Sequence, residues 1–227
     1  MENLKRRAAE QATKLVESSM IVGLGTGSTA ACFVTELGKR IASGELQDIT
    51  GVTTSFETER LAREAQIPLV SLKNVHEVDL LIDGVDEVTE TLDGIKGGGG
   101  ALLMEKIVAS YTREYVWIAD DSKLSPRLGT KFKLPVEVVH YGATNLFNKF
   151  EAIGYQPEWR LTPYGERFAT DQQHYIIDLH FSDGIADAQK LAYELDTTVG
   201  VVEHGLFLNM AKEVILAGTD GIRTLTA

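Results

Sequence analysis

Two acidic side chains three residues apart, Asp83 and Asp86, directly follow the apolar segment 78–82. A short apolar run that ends in a glycine-containing loop predicts a buried strand. In an open parallel sheet, ligands bind beyond the carboxyl ends of the strands. Two carboxylates in one pocket push each other's proton affinities apart, which separates the roles of acid and base. We therefore predict acid–base chemistry at this loop, with a solvated acidic loop as the alternative; for Glu87 the solvated loop is our interpretation.

A second candidate segment consists of Lys96 and the four glycines 97–100, followed by a predicted helix at 102–110. Four consecutive glycines are costly in chain entropy, but they suit a loop whose N–H groups surround an anion or a reacting oxygen. Lys96 would add a point charge. The segment is not a Walker loop, because no Gly-Lys-Ser or Gly-Lys-Thr closes it. Taken alone, Glu105 in the first turns of the helix is more typical of a helix surface.

A third candidate segment is the glycine-rich loop 23–27, between a predicted strand at 20–24 and a predicted helix. A helix start presents unpaired N–H groups and a positive dipole end to an anion, and Ser28 and Thr29 could add hydroxyl donors. A dinucleotide site would need a third glycine, or an alanine, in place of Ser28. It would also need an acidic residue after the second strand, where the chain has Thr-Thr-Ser at 53–55. We predict an anion-binding loop, with a glycine turn that binds no ligand as the alternative.

Strand and helix patterns alternate through the first half of the chain, which predicts a doubly wound parallel sheet of the α/β class. The pattern changes near Lys133 to the order β-α-β-β-α-β. The predicted elements of this part are strand 135–140, helix 143–153, strands 156–161 and 175–181, helix 187–195 and strand 199–207. Two last strands could return to the first sheet. We predict a catalytic domain at 1–132 plus 206–227 and an inserted α+β domain at 133–205.

Composition and charge narrow the class of protein. The net charge of −11 argues against nucleic acids and anionic membranes as partners. No apolar run reaches the roughly 18 residues of a membrane helix, and 1–11 lacks the apolar core of a signal peptide, so we expect a cytoplasmic enzyme. The single Cys32 excludes an intrachain disulfide and a cysteine-based zinc site. The histidines are scattered and form no metal motif, so we expect no metal.

Taken together, these segments resemble ribose-5-phosphate isomerase, type A. The segments that carry the resemblance are 25–29, 83–87, 96–99 with Glu105, 119–123, 134–138 and 218–221, so that it covers nearly the whole chain in order. The resemblance implies a Rossmann-like catalytic domain with a ferredoxin-like insert, assembled as a homodimer or a larger homo-oligomer. It also implies no cofactor, neither metal nor nucleotide.

The resemblance further implies the interconversion of ribose 5-phosphate and ribulose 5-phosphate through an enediolate, in the non-oxidative branch of the pentose phosphate pathway. Glu105 would shuttle the proton between C2 and C1, and Asp83, supported by Asp86, would assist ring opening. Lys96 would hold the enediolate oxygens together with the N–H groups of 97–99. The implied substrate-binding residues are Thr26, Gly27, Ser28, Thr29, Asp83, Gly84, Val85, Asp86, Lys96, Gly97, Gly98, Gly99, Lys123 and, as a weaker candidate, Lys5.

The chain departs from the pattern in three places. The stretch 53–58 replaces an expected serine-rich segment, Gly100 replaces an expected alanine, and Asp121 adds a negative charge near Lys123. The rival functions are an aminosugar-phosphate deaminase, a CoA transferase and a sugar-phosphate sensor without turnover. The first would have a histidine near these loops, the second a glutamate nucleophile, and the third a helix-turn-helix before the sheet.

Overall fold

A computed structural model describes residues 2–226 of the chain. The α-helices of this range are α1 Glu2–Thr13, α2 Ser28–Ala42, α3 Phe56–Glu64, α4 Leu102–Ser110, α5 Ala143–Ala152 and α6 Ala188–Asp196. The strands are β1 Ile21–Leu24, β2 Thr50–Thr53, β3 Val78–Gly84, β4 Glu87–Val88, β5 Gly94–Ile95, β6 Thr112–Asp120, β7 Leu134–Val138, β8 Pro157–Trp159, β9 Tyr175–Leu179, β10 Val201–His204, β11 Leu206–Phe207, β12 Glu213–Gly218 and β13 Gly221–Thr226. They form two compact units.

The first unit contains the described residues up to Val85, Met104–Lys123 and the chain from Asn209 onward. Its sheet has the strand order β13-β12-β6-β3-β1-β2. All of its neighbouring strands are parallel except β12 and β13. Strand β1 has β2 on one side and β3 on the other, which makes the edge beyond β1 and β3 the switch point of a doubly wound sheet. The predicted parallel sheet and the return of the last two strands are confirmed.

The sequence explains why α2 packs on this sheet. Ala30, Phe33, Val34 and Leu37 recur at helical spacing and are buried, as expected of the apolar face of a helix that covers a sheet. The apolar pattern of 67–72 predicts a further strand of the alternating series, and this prediction is wrong. A single bridge between Leu69 and Gly51 forms there, followed by a short 3-10 helix, because Pro68 has no N–H with which to extend a ladder.

The second unit contains Asp86–Leu103 and Leu124–Leu208. Its larger sheet has the order β10-β7-β9-β8 and is antiparallel throughout. Together with α5 and α6, this is the predicted β-α-β-β-α-β order of a ferredoxin-like module. Leu134, Val136 and Val138 alternate along β7 and lie in the apolar core of this unit, as the two-residue period of a strand requires.

The division into compact units differs from the predicted boundaries at 132/133 and 205/206. Strand β5 pairs with β4 and with β11, which forms a small antiparallel sheet within the second unit. The carboxylate of Glu87 also accepts hydrogen bonds from the segment 129–132. These contacts place 86–103 and 124–132 in the second unit, because short strands and one buried side chain hold them there.

Glu87 was interpreted as a solvated loop residue, and this interpretation was wrong. Its side chain is fully buried. Oε2 accepts hydrogen bonds from the N–H groups of Gly129 at 2.8 Å and Phe132 at 3.1 Å. Oε1 accepts one from Lys131 N at 3.1 Å and one from Thr130 Oγ1 at 3.0 Å. The Glu87 carboxylate therefore fixes the irregular turn 129–132, which belongs to no helix or strand.

We expect Glu87→Ala to lower the free energy of unfolding by about 3 kcal/mol, because three N–H groups and a hydroxyl lose a charged acceptor. Glu151→Ala, at an exposed position on α5, is the matched control and should cost about 0.5 kcal/mol or less. Urea unfolding of both variants measures the difference. Equal unfolding midpoints for the two variants would show that Glu87 does not hold the turn.

Candidate active site

Asp83 lies at the carboxyl end of β3, at the switch point of the first unit, and is fully buried. Its Oδ1 accepts hydrogen bonds from Thr26 N at 2.9 Å and from Gly84 N at 2.7 Å. Glycine is required at Gly25, because a Cβ there would collide with the Asp83 side chain. The glycine-rich loop 23–27 is therefore held against the Asp83 carboxylate. The structure thus brings together two of the candidate segments that were identified separately in the sequence.

Tyr115 is a neighbour of this carboxylate that the sequence analysis missed. It lies on β6, is buried, and donates from its hydroxyl to Asp83 Oδ2 at 3.2 Å. Burial raises the pKa of Tyr115 well above its usual value, and the negative charges of Asp83 and Glu105 raise it further. The phenol therefore stays protonated at neutral pH. An aromatic residue with a polar tip in an apolar strand was the available signal.

Glu105 lies in the first turn of α4 and is only 3% exposed. The view of Glu105, taken alone, as a helix-surface residue is therefore wrong. Its charge acts on the phenol of Tyr115, as does the charge of Asp83. The first unit thus holds two buried carboxylates around one neutral phenol, and a carboxylate in the first turn of a helix is favoured by the helix dipole.

The loop that we predicted to bind an anion ends where α2 begins. Ser28 is the first residue of α2, and Gly27 before it has φ 102° and offers no side chain to cap the helix. Lys5 Nζ donates to Ser28 Oγ at 2.9 Å. The weaker candidate Lys5 therefore adds a positive charge to the helix start, where an anion is already favoured. Lys123 lies in a short 3-10 helix after β6.

The hydroxyl of Thr26 forms hydrogen bonds with other hydroxyl groups of the first unit. Thr26 Oγ1 lies 2.8 Å from Thr54 Oγ1, 2.9 Å from Ser55 Oγ and 3.2 Å from Thr58 Oγ1. These three partners are buried. The stretch 53–58 departs from the expected serine-rich segment. Hydrogen bonds between hydroxyl groups connect it to the glycine loop, and the side chain of Thr26 therefore points towards 53–58.

The second unit carries the other group of candidates. Asp86 Oδ2 accepts a hydrogen bond from Gly98 N at 2.8 Å, while Gly98 and Gly99 are exposed. Lys96 is 2% exposed, and its Nζ lies 5.6 Å from the centre of the Phe207 ring. A buried ammonium over an aromatic face is a stabilising cation–π contact. The acid, the lysine and the glycine loop therefore belong to one compact unit.

One group of side chains within residues 2–226 has a spacing that could hold a metal ion, namely Asp196, Glu203 and His204. His204 is buried, and its Nδ1 accepts a hydrogen bond from Leu206 N at 3.2 Å. The ring proton therefore lies on Nε2, which donates to Asp196 Oδ1 at 3.1 Å. Hydrogen bonds within the protein account for the position of this histidine.

A buried carboxylate at the carboxyl end of a parallel strand, hydrogen-bonded to a glycine loop that leads into a helix, is typical of the ligand site of a Rossmann-like α/β enzyme. The family model of ribose 5-phosphate isomerase A (phosphoriboisomerase A) matches residues 50–221. The chain belongs to this family, and it is an isomerase. No helix among the described residues is long and apolar enough to cross a membrane.

Curated relatives and solved structures agree with this assignment. The chain is 57% identical to ribose-5-phosphate isomerase A of Lactococcus lactis subsp. cremoris strain SK11, covering 100% of both chains. It is 42% identical to the ribose 5-phosphate isomerase A structure from Methanocaldococcus jannaschii, with a TM-score of 0.93 over 100% of this chain and 99% of the other. A further ribose-5-phosphate isomerase structure, in complex with phospho-erythronic acid, is 36% identical, with a TM-score of 0.96 and the same coverage.

Proposed function

We propose that this isomerase interconverts D-ribose 5-phosphate and D-ribulose 5-phosphate through an enediolate, without a metal or other cofactor. The observation that carries the proposal is the pair of buried carboxylates, Asp83 and Glu105, around the neutral phenol of Tyr115. An aldose–ketose isomerisation needs groups that move protons at carbon and at oxygen, and buried carboxylates serve both needs. The related structure that holds phospho-erythronic acid supports a sugar phosphate as the substrate, since that ligand is a phosphorylated four-carbon sugar acid.

Ring opening is the first step of the proposed mechanism. The C1 hydroxyl loses its proton, the bond between C1 and the ring oxygen breaks, and the ring oxygen gains a proton, which leaves an aldehyde at C1. We assign the assistance to Asp83, with support from Asp86. Hydrogen bonds from Thr26 N, Gly84 N and the Tyr115 hydroxyl fix the Asp83 carboxylate in one orientation, which is how a group is prepared for proton transfer.

Proton transfer at carbon follows, and Glu105 is its base. The carboxylate removes the C2 proton of the open aldehyde, the electron pair forms the C1–C2 double bond, and the carbonyl oxygen becomes the enediolate oxygen. The same proton is then returned to C1, while the hydroxyl proton on O2 is transferred to O1, which gives the ketose. Burial of Glu105 excludes competing water from the carboxylate.

The enediolate carries a negative charge that needs stabilisation. We assign this task to Lys96 and to the N–H groups of Gly97, Gly98 and Gly99. Preorganised donors and a cation in a site sheltered from water stabilise developing charge more than water does. The burial of Lys96 and the glycine backbone beside Asp86 support the assignment.

We assign phosphate binding to the hydroxyls of Ser28 and Thr29, to Lys123 and, as a weaker contributor, to Lys5. The start of α2 and the ammonium of Lys5 at Ser28 make a locally positive site on a chain of net charge −11. The backbone of Gly27, Gly84 and Val85 is assigned to the same binding surface on the strength of the resemblance.

We expect Lys123→Ala to raise KM for ribose 5-phosphate by about 10-fold while kcat changes by less than about threefold, because a phosphate contact contributes to ground-state and transition-state binding alike. Lys149→Ala, on the exposed side of α5, controls for the loss of one positive charge. Initial-rate kinetics of both variants give the test. An unchanged KM for Lys123→Ala would remove this lysine from the phosphate site.

A cytoplasmic location, homo-oligomeric assembly, most simply a homodimer, and the absence of nucleic-acid and membrane partners stay predictions from the sequence. The acidic net charge supports the last of these.

A further inference from the structure

The second unit contains an arginine, Arg160, that the sequence analysis did not single out. It follows β8 and forms a two-pronged ion pair with Asp178 on β9, with Nε donating to Oδ2 at 3.0 Å and Nη2 donating to Oδ1 at 2.5 Å. Only 15% of the Arg160 side chain and 11% of the Asp178 side chain are exposed. A bidentate pair of this kind fixes the plane of the guanidinium, which a lysine could not do.

The remaining nitrogen of Arg160 points at the glycine loop. Nη1 donates to the carbonyl oxygen of Gly97 at 2.6 Å and to that of Gly98 at 3.2 Å. Two successive carbonyls are therefore turned towards one cation. Glycine has little conformational preference of its own, and Gly97 has φ 101°, so hydrogen bonds to the carbonyls decide which way these peptide groups face. Gly100 N also donates to the Gly97 carbonyl, at 3.0 Å, and Arg160 is the side chain that bonds both carbonyls.

The orientation of the carbonyls determines the orientation of the N–H groups. In a trans peptide the C=O and N–H bonds point in opposite directions. The N–H of Gly98, which shares a peptide with the Gly97 carbonyl, consequently faces away from Arg160 and donates to Asp86 Oδ2 at 2.8 Å. By the same geometry the N–H of Gly99 faces away from Arg160. A cation on the carbonyl side of a peptide also polarises its N–H group and makes it a stronger donor.

We propose that Arg160, locked by Asp178, is a positioning residue that orients the peptide groups 97–98 and 98–99, so that the Gly98 N–H holds Asp86 and the Gly99 N–H is available to the enediolate. This inference rests on the proposed function. Arg160 acts through the loop carbonyls and does not touch the substrate.

The test compares Arg160→Lys and Asp178→Asn with Arg167→Lys in the full-length protein. Arg167 is a matched control, because it lies in the same unit with its guanidinium carbon 3.8 Å from the centre of the Trp159 ring and is not hydrogen-bonded to the loop. For each variant, kcat and KM for ribose 5-phosphate are measured, together with the Kd of phospho-erythronic acid, whose carboxylate is a probe for the oxygens of the intermediate. Circular dichroism checks folding.

We expect Arg160→Lys and Asp178→Asn to lower kcat by about 10- to 100-fold and to raise the Kd of phospho-erythronic acid by a similar factor. KM should stay within about threefold of the wild-type value. Arg167→Lys should leave these quantities within about threefold. A structural role alone would lower the amount of folded protein and leave kcat per folded molecule unchanged, and that result overturns the proposal. So does a change confined to KM. If Arg160→Lys does not fold, the result for Asp178→Asn decides.

Wild-type protein without turnover overturns the proposed function and this inference with it, whereas wild-type turnover with unchanged variants overturns the inference alone.

Discussion

Glu105→Gln is expected to lower kcat for ribose 5-phosphate by about 1,000-fold, within the range typical of the loss of a general base. The amide has the size of the carboxylate and keeps its place in α4, but it cannot accept the C2 proton. KM should change by less than about threefold, since the base contributes to the transition state and little to substrate binding. Steady-state kinetics with purified protein measure both constants.

Glu137→Gln is the matched control for this variant. Glu137 is another buried glutamate, which accepts hydrogen bonds from Thr170 Oγ1 and His174 in the second unit. Burial raises the pKa of its carboxyl group, and the hydrogen bond with His174 partly opposes this. We expect kcat of this variant to stay within about threefold of the wild type. A near-normal kcat for Glu105→Gln would show that another group is the base.

Lys96→Met is expected to lower kcat by about 100- to 1,000-fold, as the loss of one stabilising group for an oxyanion does. Methionine fills a similar volume beside Phe207 but carries no charge, so the enediolate would form without its cation. The affinity for phospho-erythronic acid should fall by a comparable factor. Inhibition kinetics on residual activity, or calorimetric titration, measure that affinity.

Lys133→Met controls for the removal of a lysine from the second unit. Lys133 is 40% exposed and pairs with Glu158, so its loss should change kcat by less than about threefold. If Lys96→Met raised KM and left kcat unchanged, Lys96 would bind substrate and intermediate equally, and its assigned role in stabilising the enediolate would be contradicted.

The parts of the fold that the sequence predicted are those with a strong local period. The helix α2 and the order of the second unit's strands follow from apolar spacing, because burial imposes that spacing directly. The pairing of β5 with β11 was not predicted. Two-residue strands leave no period in a sequence, and the partners lie more than a hundred residues apart.

The candidate site shows the same division between local and distant information. Asp83 at the end of β3 and Asp86 just after it belong to a segment whose composition indicates a site, and the resemblance added the roles. The hydrogen-bond partner of a buried polar side chain often lies far from it in the sequence, so the local pattern does not reveal it. The acceptor role of Glu87 depends on a turn some forty residues later, and Arg160 reaches a loop more than sixty residues earlier, so neither contact could be deduced from the residues alone.

The most direct test of the account is turnover of ribose 5-phosphate by the purified protein, with and without a metal chelator. We expect ribulose 5-phosphate to form at the same rate in both conditions, because the proposed mechanism uses only carboxylates, a lysine and backbone N–H groups. Folded protein that forms no ribulose 5-phosphate in either condition would contradict the proposed reaction. Activity that is lost with the chelator and restored by added metal would contradict the metal-free mechanism.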